Sequence, residues 1–342
     1  MTACKISTDW TYRGMKTLSM ENEFLRITCL PDFGARITEF TYKPHERNFL
    51  WERPNFGHRA PARSSGPTIS FFDYWGGGWD ELFPTAWACS YRKADYGAFG
   101  ETPFLQWDSE IEKQTSEEVV AHLRTHTIRS PFVFDKRLTI RSGEKKLHIT
   151  ERLTNLSDVT FEFLWIQHPV LNINEKCRIA IPATSFAVEP EQSRCLDARL
   201  SHLWPITEDK DGREVDLRVV PARGTSEYWE LLYFKDLREG WFALSDESSH
   251  ETFGLVFPRN IFKFACMSML YGSNADAPWY GSPYLLGMYP STGYPVTLTK
   301  ALKEGEFSKL ASNESLEAKI IAVVATDVER LRAITQEGEI VQ

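Results

Sequence analysis

The chain has 342 residues, of which 42% are hydrophobic, with 39 Lys and Arg against 47 Asp and Glu for a net charge of −8. This balance excludes wholesale disorder, and an acidic chain with no basic run lacks the clustered cations that nucleic acid and anionic membranes require. No stretch approaches the roughly 18 apolar residues of a spanning helix, Met1 to Lys16 holds no apolar signal core, and six scattered cysteines without a Cys-x-x-Cys pair suggest reduced thiols and a cytoplasmic protein.

Period-two alternation dominates from the start. Strands are expected over residues 23–30 and 36–42. Residues 53–70, with Pro54, Pro61, Gly66 and Pro67, read as a long loop. A strand over 119–128 follows. Leu138 and Ile140 then alternate with Thr139 and Arg141, and Leu147, Ile149, Glu151 and Leu153 share one strand face. Ser142-Gly143-Glu144 lies between these two runs as a hairpin turn. Phe161, Phe163 and Trp165 repeat the alternation, and Pro169 is expected to end the pairing of the strand that contains it. Residues 187–226, charged and proline-bearing, read as a second long loop, and further strands are expected over 240–245, 252–257 and 316–324. Thr326 and Glu329 make a capping box ahead of Val328, Leu331 and Ile334, which predicts a C-terminal helix, the longest in the chain. Strands that succeed one another without helices predict an all-β, antiparallel sandwich in a single domain spanning 1–342. No G-x-G-x-x-G or other phosphate cradle follows a strand.

Four segments carry candidate chemistry. In Gly76-Gly77-Gly78-Trp79-Asp80-Glu81-Leu82-Phe83-Pro84, glycines permit close backbone approach, and a Trp with two carboxylates offers a sugar an aromatic platform and hydroxyl acceptors. The plainer alternative is a glycine loop with two solvated acids. In Trp165-Ile166-Gln167-His168-Pro169-Val170-Leu171-Asn172, a histidine at the rim of a sheet is a natural general acid near neutral pH, or else a satisfied structural residue. Leu285 to Pro295 joins an apolar strand to a polar loop. Phe99-Gly100-Glu101 offers Glu101 as a hydroxyl acceptor or an idle surface acid. The 11 tryptophans suit either stacking on sugar rings or simple strand packing.

In this order the segments resemble the aldose 1-epimerase (galactose mutarotase-like) superfamily. Gly34-Ala35-Arg36-Ile37 resembles its opening Gly-x-Arg-Ile strand, and Gly77 to Pro84 its Gly-Gly-…-Phe-Pro segment. His168-Pro169-Val170-Leu171-Asn172 resembles the His-Pro-Tyr-Phe-Asn strand with the catalytic histidine. Met288-Tyr289-Pro290-Ser291-Thr292 lies where the family reads Ile/Leu-Glu-Pro-x-Thr/Ser. The resemblance runs from about residue 20 to about residue 325 and implies a large antiparallel sandwich with few short helices.

It further implies mutarotation: a base takes the anomeric hydroxyl proton while an acid protonates the ring oxygen. His168 would be the acid, and Tyr289 stands where the family places its glutamate base. A second family histidine would fall at Phe99. A tyrosine titrates at about 10, so Tyr289 is expected to stay protonated at neutral pH. Arg36, Trp79, Asp80, Glu81 and Glu101 are the candidate substrate-binding residues, and Asp80, Glu81 or Glu101 would have to replace the missing carboxylate. Trp79, Asp80, Glu81, His168 and Tyr289 are expected to line one cleft. The implied ligand is a small-molecule carbohydrate, with no organic cofactor, no metal site, and neither nucleic acid nor membrane as partner. Three alternatives stand beside an anomer-interconverting isomerase. One is a non-catalytic carbohydrate-binding protein. Another is a same-fold lyase or isomerase in which Tyr289 transfers the proton. The third is a sandwich face that binds protein.

Overall fold

The structure is a computed structural model that describes residues 3–54, 56–59, 71–226, 228–272 and 279–342. Part of the loop expected over 53–70 therefore lies outside the described residues. Two large antiparallel sheets face each other. One has twelve strands, whose middle runs Leu25–Leu30, Arg36–Tyr42, Trp79–Leu82, Ile166–Asn172, Tyr284–Ser291, Phe264–Tyr271, Trp229–Phe234 and Ser185–Ser193. The other has eight, in the order Asp108–Gln114, Glu118–His126, Phe132–Arg141, Lys146–Asn155, Ser315–Thr326, Glu251–Val256, Trp241–Asp246 and Cys177–Ala180.

Alternation decides which side chains meet between the sheets. In Lys146–Asn155, Leu147, Ile149 and Leu153 are buried while His148, Thr150 and Arg152 reach the surface. Phe40, Leu138, Leu171, Phe253 and Met288 join them in one core, and each such side chain contributes about 1.5–3 kcal/mol on burial. Glu151 breaks the apolar rule of its face. It is buried between the sheets, and Lys136 Nζ lies 2.7 Å from its Oε1 and 2.6 Å from Glu81 Oε2. Gln167 donates to Glu151 (2.7 Å), Trp165 donates to Glu81 (2.5 Å), and Trp79 donates to Gln167 (2.9 Å). Two carboxylates and one ammonium are thus stitched into the middle of the sandwich.

Three expectations need correction. The C-terminal helix does not form. Thr326 still pairs with Glu251 as the last residue of a strand, Asp327 takes a left-handed φ of 59°, and Ala333–Ile334 pairs with Ile340–Val341. Leu331 and Ile334 pack on Trp241, Val256 and Val323, so tertiary burial used the apolar spacing without a helix. The one α-helix among the described residues is the short Leu298–Glu304. Pro169 does not end its strand. It pairs with Trp79 inside Ile166–Asn172, and on the other side the ladder opens between the Ile166–Ser291 and Val170–Gly287 pairs without changing register. The stretch 187–226 is not all loop, because Ser185–Ser193 is a strand of the larger sheet and Ile206–Glu208 pairs with Glu214–Asp216.

Candidate functional site

The site lies on the face of the twelve-stranded sheet that points away from the eight-stranded one. Three neighbouring strands bring its centre together. His168 pairs with Asp80 on one side. On the other, the pairs Ile166–Ser291 and Val170–Gly287 put His168 level with Tyr289. Successive strand residues alternate between faces, so Trp79, Glu81 and Gln167 point the opposite way, into the core.

His168 and Tyr289 lie face to face, with ring centroids 4.0 Å apart and planes 9° from parallel. The sequence allows this through Gly287. A Cβ there would sit 1.6 Å from the Tyr289 hydroxyl and 2.0 Å from Cζ, so the phenol lies flat over the bare backbone two residues earlier. Ser268 on the next strand pairs with Gly287 and faces that phenol, whose pKa it pulls down. The glycine run serves a related end. Gly77 and Gly78 both have φ of 93°, and a Cβ would come within 2.1 Å of the Trp51 carbonyl at one and 2.6 Å of the Ile37 carbonyl at the other. Only glycine lets this segment lie against its neighbours and enter the sheet.

Aromatic rings wall the space above His168. Phe99 lies 4.7 Å from the imidazole, and Trp75 6.1 Å. Trp279 stands edge-on to Trp75 at 5.6 Å and meets Phe72 at 5.4 Å and Trp229 at 6.3 Å. Trp87 closes the ring against Phe72 at 6.1 Å. The cavity they leave is about 250 Å³, with polar groups from His168, Gln192, Glu230, Ser268 and Tyr289. A larger depression of about 760 Å³, near Asp209, Arg213 and Tyr271, contains none of the residues that the sequence singled out.

Burial controls the electrostatics. It lowers the pKa of His168 to about 3, with Arg36 adding to the effect, so the imidazole is neutral at pH 7; among the described residues its buried Nδ1 has no hydrogen-bond partner. Burial pushes the Tyr289 phenol up, well above the ordinary tyrosine range. Both rings are therefore uncharged at neutral pH.

The carboxylates are all engaged. Asp80 accepts from Arg36 Nε (2.6 Å) and from Trp75 Nε1 (2.9 Å), with both partners of the ion pair fully buried. Burial raises the Asp80 pKa, and Arg36 and Trp75 pull it back. Its contact fixes the Trp75 ring as a wall. Arg36 faces Phe33 (4.4 Å) and Phe71 (5.7 Å) and does not line the cavity. Glu81 is occupied by Lys136 and Trp165 in the core. Glu101 accepts from the backbone N–H of Ile128, Arg129 and Ser130 and from the Ser130 hydroxyl, so it holds that turn. Glu230, which does line the cavity, accepts from the N–H of Arg194 (2.8 Å) and Cys195 (2.6 Å) and from the Ser193 hydroxyl (2.6 Å).

Of the five residues expected to share a cleft, the structure places His168 and Tyr289 on the cavity and Asp80 beside them, supporting a wall. Trp79 and Glu81 are not at the cavity, because strand alternation sends them inward; Glu101 is not there either. Sequence reading missed Phe72, Trp75, Trp87, Gln192, Trp229, Ser268 and Trp279. The aromatic run Phe71-Phe72-Asp73-Tyr74-Trp75 just before the glycines was the available signal.

No family model and no curated protein matches the chain. Solved structures do. A candidate aldose 1-epimerase from Klebsiella pneumoniae superposes with a TM-score of 0.72 at 14% identity, covering 96% of this chain and 85% of that one. A protein from Synechocystis gives 0.65 at 20% identity over 91% and 96%. A galactose mutarotase-like protein from Clostridium acetobutylicum gives 0.61 at 14% over 95% and 99%. The fold is that of the galactose mutarotase-like sandwiches. Fold alone does not carry an activity.

Proposed function

We propose that this chain binds a carbohydrate in the aromatic cavity above His168 and does not use the acid–base pair of mutarotation. The observation that carries this reading is the stacked His168–Tyr289 pair, which stands where the sequence resemblance calls for a histidine and a glutamate. Mutarotation needs one group to accept the anomeric proton while another protonates the ring oxygen. A positioned acid or base works best with a pKa near the operating pH and contributes roughly 10²–10⁴ in rate. His168 titrates far below that window and Tyr289 far above it. The three carboxylates expected as substitutes, Asp80, Glu81 and Glu101, are committed to Arg36, Lys136 and the 128–130 turn. The aromatic walls, in contrast, suit the apolar faces of a sugar ring.

A second reading is favoured by the buried, unpartnered Nδ1 of His168. A neutral imidazole whose Nδ1 has no hydrogen-bond partner among the described residues is able to take a proton from a ligand, and a protonated phenol beside it is able to give one. Under that reading the protein is an isomerase with altered chemistry. Calorimetric titration with neutral hexoses and their methyl glycosides tests the first reading. Saturable binding that His168→Ala weakens is expected; absence of binding across the panel overturns it.

A further inference from the structure

The inference rests on the carbohydrate reading and narrows its ligand. We infer that the cavity takes a neutral monosaccharide glycoside with an apolar aglycone, an aryl or short alkyl group, in preference to a free, phosphorylated or oxidised sugar.

Three observations lead there. The first is the shortage of hydrogen-bonding groups. A free hexose presents a hydroxyl on nearly every carbon, and each one buried without a partner costs free energy on the order of 1–3 kcal/mol. Among the described residues, the cavity offers five polar side chains besides indole N–H donors, and Glu230 is largely spent in holding the 193–195 turn. The second is the excess of aromatic surface. Phe72, Trp75, Trp87, Phe99, Trp229 and Trp279 surround one small space. A sugar ring has two faces, and stacking both still leaves rings with no polar ligand to serve. An aglycone fills that remainder.

The third is charge. Among the described residues, no lysine or arginine lines the cavity, and Glu230 does. Arg53 lies over the Trp279 ring at 5.7 Å without lining the space. A phosphate or carboxylate on the ligand would be buried against indole faces with no counter-charge from the described lining residues, the arrangement that carries the heaviest desolvation cost. Size agrees. At about 250 Å³ the cavity falls just below the roughly 300–1,000 Å³ of sites for drug-sized ligands, so it fits one sugar ring with a small substituent.

Calorimetric titration of the full chain decides the point, using the phenyl and methyl β-glycosides of glucose, galactose and mannose, the free hexoses, a hexose phosphate, a hexuronate, and phenol. For at least one sugar, the phenyl glycoside should bind about tenfold or more tighter than the methyl glycoside, the gain of one buried ring stack. The anionic sugars should not bind. Trp87→Ala and Trp229→Ala, both at partly exposed positions, should weaken the phenyl glycoside more than the methyl glycoside and so narrow the phenyl preference. If free hexoses or anionic sugars bind as tightly as the phenyl glycosides, the inference falls and the carbohydrate reading stands. A phenyl preference untouched by both tryptophan substitutions also overturns it. If phenol alone binds as well as its glycosides, or no sugar binds in any form, both fall.

Discussion

Tyr289 lies over Gly287 because no side chain stands in its way. Gly287→Ala would put a methyl group within 1.6 Å of the phenol oxygen, and the ring would have to leave its stack on His168. Overpacking of this kind typically costs about 1–3 kcal/mol, so a fall in the urea midpoint is expected. Tyr289→Ala leaves a cavity, for which a cost of about 3–5 kcal/mol is usual for a buried aromatic ring. The double variant should then lose little more than Tyr289→Ala alone, since the clash has gone. Additive losses in urea denaturation would show that the ring and the glycine do not meet. Tyr289→Phe removes only the hydroxyl and its contact with Ser268. A loss of about 0.5–1.5 kcal/mol of stability is expected, with ligand affinity changed a few-fold. A rate loss of two or more orders in any turnover assay would instead assign the phenol a proton-transfer role.

The Trp79–Leu82 and Ile166–Asn172 strands each show two faces to two environments. One face builds the site through Asp80 and His168, and the other enters the buried network through Trp79, Glu81 and Gln167. Burial alone would lower the pKa of Lys136, but Glu151 and Glu81 outweigh it and hold it raised. Burial first, and then Glu81, raise the pKa of Glu151 to about 8. A carboxyl whose pKa is higher folded than unfolded binds more protons when folded. Its contribution to stability is complete below the ordinary carboxylate pKa of about 4.3 and is lost as pH rises through about 8. The urea midpoint should therefore fall between pH 6 and pH 9, and Glu151→Gln should flatten that slope. An unchanged slope in the variant would mean that the proton does not reside on this pair. Lys136→Met strands the buried Glu81–Glu151 pair without its cation, and a loss of about 3–5 kcal/mol is expected.

This element-level view explains what the sequence disclosed. Residues 36–42 were legible as a strand to the residue, and the alternation of residues 147–153 under one buried face was a local signal. His168 and Tyr289 were legible as candidates because each sits in a recognisable run. Trp79 and Glu81 were grouped with Asp80 by adjacency, which is the relation that a strand converts into opposite faces. Val328, Leu331 and Ile334 carried a helical spacing, yet the left-handed Asp327 and the pull of Trp241 and Val256 made a short hairpin of that segment.

At the scale of the molecule, the cavity is a product of long-range topology. Its tryptophans come from positions as far apart as Trp75 and Trp279, and they meet only because the middle strands of one sheet bring their flanking segments to the same face. No spacing rule in the sequence announces such a shell; composition alone did, as an aromatic excess without an address. The strand position at which the sequence resemblance leads one to expect a base holds an uncharged phenol. The most direct test is polarimetry of the unmodified protein with freshly dissolved α-glucose and α-galactose, at concentrations covering those at which calorimetry detects sugar binding. The account predicts optical rotation that relaxes at the spontaneous rate with and without protein. Rapid, protein-dependent relaxation that His168→Ala abolishes would contradict it.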